Sequence, residues 1–360
     1  MTPHHAHGAQ NVKITRDTDA WEVELKAEIS AEALVGYRAE ALKEIQSTAK
    51  LDGFRPGKAP EDRIVAVYGE AAIMREAAEH AVQHELPELL AAEKLMIIES
   101  PRVEIGSPEA GKPLSFTARA PLAPEITLPD YKKIAKKHNA KKEEITVSDK
   151  EHSDALLHLR RERARIDKVE AGTEPQKASE ESRAMNEDEL PALDDEFSKS
   201  VGYESASHFT DTVRVNMREE KTRQAIEKRR TQILDDLIKE SRISYPAILR
   251  EYELNEMEGR MTDDLERMGS TFEAYLNQTK KTREQLRADW KDAADKRARM
   301  RLILAEISRT EKIEPDREVF EQEIIRAKEH YKGADEGVLR THIMHAMKNE
   351  AVLKYLESQE

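Results

Sequence analysis

The sequence predicts an α+β N-terminal domain followed by a predominantly α-helical, elongated C-terminal domain with arm-like helical hairpins. Three observations predict it. Apolar residues alternate near the N-terminus, at Val12 and Ile14 and then at Trp21, Val23, Leu25, Ala27 and Ile29, which is the period of a half-buried strand. From Leu190 onward apolar residues recur every three or four positions, and strand signals are absent. The composition suits helices: of 360 residues 36% are charged, 38% are hydrophobic and only 5% are aromatic.

The polar break Arg16-Asp17-Thr18-Asp19 divides the first alternating run, so Asn11 to Ile29 reads as a β-hairpin. Ser30 then caps a helix with Leu34, Tyr37, Ala41 and Ile45 on one face. That helix ends before the Gly- and Pro-rich segment 52–60, and Pro60 takes the first position of another, which carries Ile64, Val65 and Tyr68. An Ala- and Glu-rich helix continues to about Lys94. Alternation at Val103 and Ile105, and at Leu114, Phe116 and Ala118, completes the small domain before the Pro-rich stretch Pro121 to Pro129. The first domain is thus expected over residues 1–130, its first ten residues disordered.

Residues 131–170 read as a basic linker and linker helix. Six lysines and no acid occur from Tyr131 to Lys142, and Ser148 with Glu151 forms a capping box. Residues 171–189 are polar, aperiodic and without Phe, Trp or Tyr, so a tether is expected. Residues 190–360 form the helical domain. One long helix keeps Phe209, Val213, Met217, Ile226, Ile233 and Leu237 in a stripe, and Pro246 starts a helix with Tyr252, Met257, Met261, Leu265 and Met268 facing one way. Ser270 with Glu273 and Thr282 with Gln285 are further capping boxes, and Pro315 starts the helix through Val319, Phe320 and Ile324. Narrow apolar stripes on charged helices predict hairpins packed side by side.

Composition also excludes chemistry. Without cysteine there is no disulfide, thiolate nucleophile, Cys-based zinc site or iron–sulfur cluster, which suits a reducing cytoplasm. A net charge of −13 disfavours general nucleic-acid binding. The N-terminus lacks the apolar core of a signal peptide, and the purest apolar run is Leu95 to Ile98, so no membrane association is expected. Gly53 to Lys58 has three residues between its glycines instead of four, and Ala59 where Mg²⁺ binding needs Ser or Thr, so it is no phosphate loop. His80 with His84, and His342 with His345, lack the glutamate spacing of a metalloprotease helix and read as surface histidines, while His4, His5 and His7 fall in the N-terminal tail. No catalytic residue, metal site or cofactor is assigned.

One loop has a purpose readable from its chemistry. Gly53, Pro56, Gly57 and Pro60 fix a tight excursion whose tip presents Phe54, Arg55 and Lys58, an aromatic and two cations on an acidic chain. Such a tip suits phosphates or acidic side chains together with an apolar or stacking site. A plain turn is the alternative. Met257, Met261 and Met268 read either as ordinary core or, being unbranched and polarizable, as a surface that accepts many apolar shapes.

The loop resembles the signature Gly-Phe-Arg-x-Gly-Lys-x-Pro of the trigger factor family, bacterial ribosome-associated chaperones, and stands here as Gly53-Phe54-Arg55-Pro56-Gly57-Lys58-Ala59-Pro60. Similar segments are Gly111 to Phe116, Pro124 to Lys132, Glu189 to Phe197 and Met268 to Leu276. The resemblance implies an N-terminal domain that docks beside the ribosomal tunnel exit, on ribosomal protein and rRNA, through this loop. It also implies a helical cradle for nascent or unfolded polypeptide. Phe54 and Arg55 match the loop-tip contacts and Lys58 the signature lysine, while Pro56 stands where members carry a third contact, lysine. Family members insert a prolyl-isomerase domain similar to FK506-binding proteins where this chain has only the polar stretch before Glu189. The expected function is therefore an ATP-independent, cytoplasmic holding chaperone without catalysis. The alternatives are a helical adaptor or structural protein without ribosome docking, and a residual prolyl isomerase. Oligomeric state is open, a homodimer among the options.

Overall fold

The computed structural model describes residues 8–51, 53–55, 57–109, 111–141, 145–331, 333 and 335–360. In chain order the first elements are β1 (Ala9–Asp17), β2 (Glu22–Ile29), α1 (Ala31–Thr48), α2 (Glu61–Tyr68), α3 (Glu70–Ala92), β3 (Arg102–Ile105), β4 (Leu114–Pro121) and β5 (Glu125–Thr127). Then come α4 (Tyr131–Asn139), α5 (Asp149–Glu170), α6 (Pro175–Ala184), α7 (Asp195–Ser200), α8 (Ala206–Glu240), β6 (Arg242–Ser244), α9 (Ala247–Arg267), α10 (Phe272–Thr279), α11 (Arg283–Glu311), α12 (Arg317–His330) and α13 (Glu336–Glu357). Packing divides the chain into two compact units, each assembled from distant segments: 1–129 with 240–312, and 130–239 with 313–360.

In the first unit, β1, β2, β4 and β3 form an antiparallel sheet in that order. Val23, Leu25, Ala27 and Ile29 of β2 and Leu114, Phe116, Ala118 and Ala120 of β4 are buried, as the alternation predicts. Leu34, Tyr37 and Ala41 of α1 and Met74, Ala77, Ala81 and Val82 of α3 pack on that face. Full burial of a residue such as Leu25 stabilises by roughly 1.5–3 kcal/mol. The hairpin turn is set by Asp17, whose carboxylate accepts the N–H groups of Asp19 and Ala20, and by Trp21 at φ 55°. Residues 8–10, expected to be disordered, are ordered: Ala9 pairs with Ile29, Gln10 pairs with Glu28, and Gly8 donates to Glu85.

The unit also holds the hairpin α9–α11. One link to the sheet-bearing segment is local pairing of β5 with β6, Ile126 opposite Ile243, and α11 also packs against β5. A strand in the 190–360 segment departs from the expectation of helices alone. Three residues are too few to show an alternating period, and their partner lies far away in sequence.

The second unit contains α4 to α8 and the hairpin α12–α13. Asn139 donates to the carbonyls of Leu356 and Gln359, Arg230 pairs with Glu350 and Glu357, and His138 and Lys137 meet Asp236, which ties α4, α8 and α13 together. The expected tether is also corrected. Residues 175–184 form α6, started by Pro175, with Ala178 and Ser182 buried. Small residues replace an apolar stripe there, and polar contacts fix the segment: Lys168 pairs with Glu181, and Arg160 donates to the carbonyls of Glu187, Leu190 and Pro191. Among the described residues no helix is long and apolar enough to cross a membrane.

Candidate functional site

The signature loop grows out of α1. Ala49 leaves helical geometry at ψ 130° while its N–H still bonds Ile45 O, and the chain turns outward. Ala49, Ala59, Ile64 and Ile73 form a small buried cluster, with Leu42, Ile45, Leu51 and Val65 against it, which anchors both feet of the loop. Gln46 clamps the return strand: its side-chain amide donates to Ala59 O, and its own carbonyl accepts Gly57 N–H at 2.9 Å. Phe54 N–H bonds Leu51 O at 3.1 Å and Lys58 N–H bonds Arg55 O at 3.0 Å. Gly53 and Gly57 sit at φ 84° and 81°, where a side chain is strained.

The tip is therefore fixed at its base and open at its end. Gly53, Arg55, Gly57 and Lys58 are exposed, and Phe54 keeps 38% of its surface in solvent. Pro56 lies outside the described residues. Arg55 and Lys58 have no ion-pair partner among the described residues. The acids that follow the loop are engaged elsewhere, since Arg38 grips Glu70 at 2.6 and 2.9 Å and Glu61 at 2.9 Å. Those hydrogen bonds hold the Glu70 carboxyl below the usual range. A fixed base carrying an exposed aromatic and two exposed cations can meet an anionic, partly apolar surface.

The histidines do not form one site. His80 lies 3.1 Å from Glu44 and 3.6 Å from Glu76, whereas His84 Nδ1 turns to the Tyr37 hydroxyl at 3.1 Å. His342 and His345 are exposed. Glu85, which the sequence patterns above do not single out, is 1% exposed and accepts from Tyr37 Oη at 3.0 Å and Gly8 N at 3.1 Å. Its signal was its place three residues after Val82, on the buried face of α3. Burial, then the bond to Glu85, pushes the Tyr37 phenol well above its usual pKa.

The three methionines divide. Met257 and Met261 are half-buried, and Met268 is 72% exposed at the end of α9. An ionic lattice joins α9 to α11: Arg287 bridges Glu251 and Glu258, and Arg297 and Arg301 both reach the buried Glu253 at 3.0 Å. Beneath it lie Leu254, Leu265, Leu286, Ala294, Ala298 and Ile303. In α12–α13, Phe320, Ile324, Val352 and Leu356 are buried, yet Ile325 and Val338 remain 61% and 70% exposed. Ile325 adjoins the core position Ile324, so its place in the apolar stripe gives no sign of its exposure.

A sheet-bearing unit with an anchored aromatic–basic loop, joined in one chain to charged helical hairpins that leave apolar side chains in solvent, has the fold class of a helix-rich chaperone. The chain belongs to the trigger factor family. Family models described as bacterial trigger factor protein match residues 10–159 and, for its C-terminus, 205–357. Similar curated proteins are the trigger factors of Caldicellulosiruptor bescii, 26% identical over 86% of this chain and 85% of the relative, and of Clostridium tetani, 24% identical over 89% and 90%. A solved structure of the trigger factor chaperone, described for promiscuous substrate recognition in folding and assembly, superposes with a TM-score of 0.53 over 97% of this chain and 100% of that one, at 16% identity. Residues 160–204 alone separate the two family matches and contain helices and no strand, so the chain lacks the middle prolyl-isomerase region. Family and fold support a chaperone role.

Proposed function

We propose that the chain is an ATP-independent holding chaperone of the cytoplasm that docks on the ribosome near the tunnel exit through Gly53, Phe54, Arg55, Gly57 and Lys58, with Pro56 between them. The 1–130 segment supplies this contact, and segment 190–360 holds emerging or unfolded polypeptide. Met257, Met261 and Met268 contribute apolar contacts, to which Ile325 and Val338 are added. No prolyl isomerisation is part of this activity. The observation that carries the reading is the outward tip of Phe54, Arg55 and Lys58 on a base locked by Gln46 and Ala59. Weak, exposed apolar contacts on a charged frame fit holding and release without nucleotide.

Co-sedimentation of the full chain with vacant ribosomes tests docking, and delayed aggregation of a chemically unfolded client without ATP tests holding. Pelleting that weakens with salt, together with a delay, is expected. No pelleting at any salt would remove the docking role and leave a free holder or adaptor.

A further inference from the structure

The sheet of the first unit has an edge that the described residues leave unpaired. β3 pairs only with β4, Glu104 opposite Thr117 and Ile105 opposite Phe116, and Gly106 N–H donates to Ser115 O at 2.8 Å. Backbone groups alternate in direction along an antiparallel strand. Residues 102, 104 and 106 therefore face β4, and the N–H and C=O groups of Val103 and Ile105 face away. Among the described residues no backbone partner meets them, and β3 is exposed along its length. Such an edge is a template for another strand.

What lies beside the edge defines the chain that fits it. Val103 and Ile105 sit opposite Ala118 and Phe116, so their side chains share the face that packs on the helices. Both stay exposed, since no described strand covers them beyond β3. Between this edge and α3 runs a groove of about 690 Å³, its helical wall built from Tyr68, Ala71, Ala72, Arg75 and Ala78. Three alanines keep that wall low. A strand added about 4.8 Å beyond β3 would set every second side chain over them and the others in solvent. Arg75 is exposed on the same wall and has no ion-pair partner among the described residues, while Glu79 stands one turn further on. The wall thus accepts a carboxylate at Arg75 and repels one at Glu79.

We infer that this groove binds an extended segment of unfolded polypeptide by strand addition to β3, with small or medium apolar side chains against Ala71 and Ala72 and an acidic residue at Arg75. The inference rests on the holding activity proposed above and gives it a backbone-reading contact in the 1–129 segment. Free backbone groups at strand spacing identify the occupant as an extended peptide.

The test is fluorescence anisotropy of the full chain with a labelled octapeptide that alternates valine and threonine and carries one glutamate on the valine face. The same peptide is made with either alternate set of amides N-methylated. Expected are saturable binding, at least ten-fold weakening by one methylated set, and a similar loss in Ala71→Trp, an exposed position that leaves helicity unchanged. Arg75→Glu should prefer the lysine version of the peptide. Equal binding of all three peptides, or indifference to Ala71→Trp, overturns strand addition. So does a dimer that Ala71→Trp dissociates, because the occupant is then a second copy. If the parent delays client aggregation while these tests fail, the groove is wrong and the holding reading stands. If it delays nothing yet the peptide tests succeed, strand addition stands and holding fails.

Discussion

Gly57 donates its backbone N–H to the carbonyl of Gln46 across 2.9 Å, and the same Gln46 side chain donates to Ala59 O. One residue of α1 thus fixes the return limb of the loop whose tip presents Phe54 and Arg55.

The first prediction concerns that limb. Gly57 sits at φ 81° with nothing within 4 Å of an added Cβ, so Gly57→Ala meets backbone strain alone, about 1–2 kcal/mol. The loop should relax while the core stays intact. Ribosome pelleting should weaken several-fold with helicity unchanged; full pelleting would mean that the tip's conformation does not matter.

The second concerns the buried polar cluster. Tyr37→Phe removes the hydroxyl that Glu85 and His84 share and leaves the buried Glu85 short of a donor. The expected cost is about 1–3 kcal/mol in the denaturant unfolding of the sheet-bearing unit. Ribosome binding at a temperature where the protein is folded should not change.

A third follows from pH. Lys221 first, then the Ser148 backbone N–H and hydroxyl, push Glu151 down from 4.5 to about 2. A depressed carboxylate stabilises fully above its unfolded pKa, and this contribution disappears as the pH falls through the folded value. Parent and Glu151→Gln should differ most at pH 7, and the gap should narrow between pH 4.5 and 2. An acid titration followed by circular dichroism checks this, and a constant gap would deny Glu151 its role in holding α5 to α8.

A fourth addresses the client surface. Met268 and Ile325 are exposed, so Met268→Asp and Ile325→Asp should leave thermal stability nearly unchanged. Each removes no more than about 1.5–3 kcal/mol of client contact. Single changes should shorten the aggregation delay modestly and the pair should shorten it more. If the pair acts like the parent, clients bind elsewhere.

Much of this was legible in the sequence wherever a local rule decides the structure. Alternation located β2 and β4, and reciprocal bonds made Ser148 with Glu151 and Thr282 with Gln285 true capping boxes. Ser270 was not the cap of α10; Thr271 is. The reason is competition: Ser270 N–H bonds Leu265 O and Gly269 N–H bonds Glu266 O, closing α9 in a Schellman motif with Gly269 at φ 73°. With Ser270 spent on α9, the next hydroxyl caps α10. Likewise Asp316, not Pro315, opens α12 by accepting the N–H groups of Glu318 and Val319. β6 and α6 escaped because long-range partners make them, not their own periodicity. At the site, the residue types at the tip were readable, whereas the clamp by Gln46 was not, since a helical glutamine carries no signal of what it reaches.

Phe54 and Arg55 are the proposed ribosome contact. Its most direct test is co-sedimentation of purified ribosomes with the parent and with Phe54→Ala/Arg55→Ala, after circular dichroism shows equal folding. The parent should pellet with ribosomes and be released by salt, as expected for cationic contacts screened over about 8–10 Å near physiological ionic strength. The double variant should stay in the supernatant. Equal pelleting of parent and variant would rule out this contact.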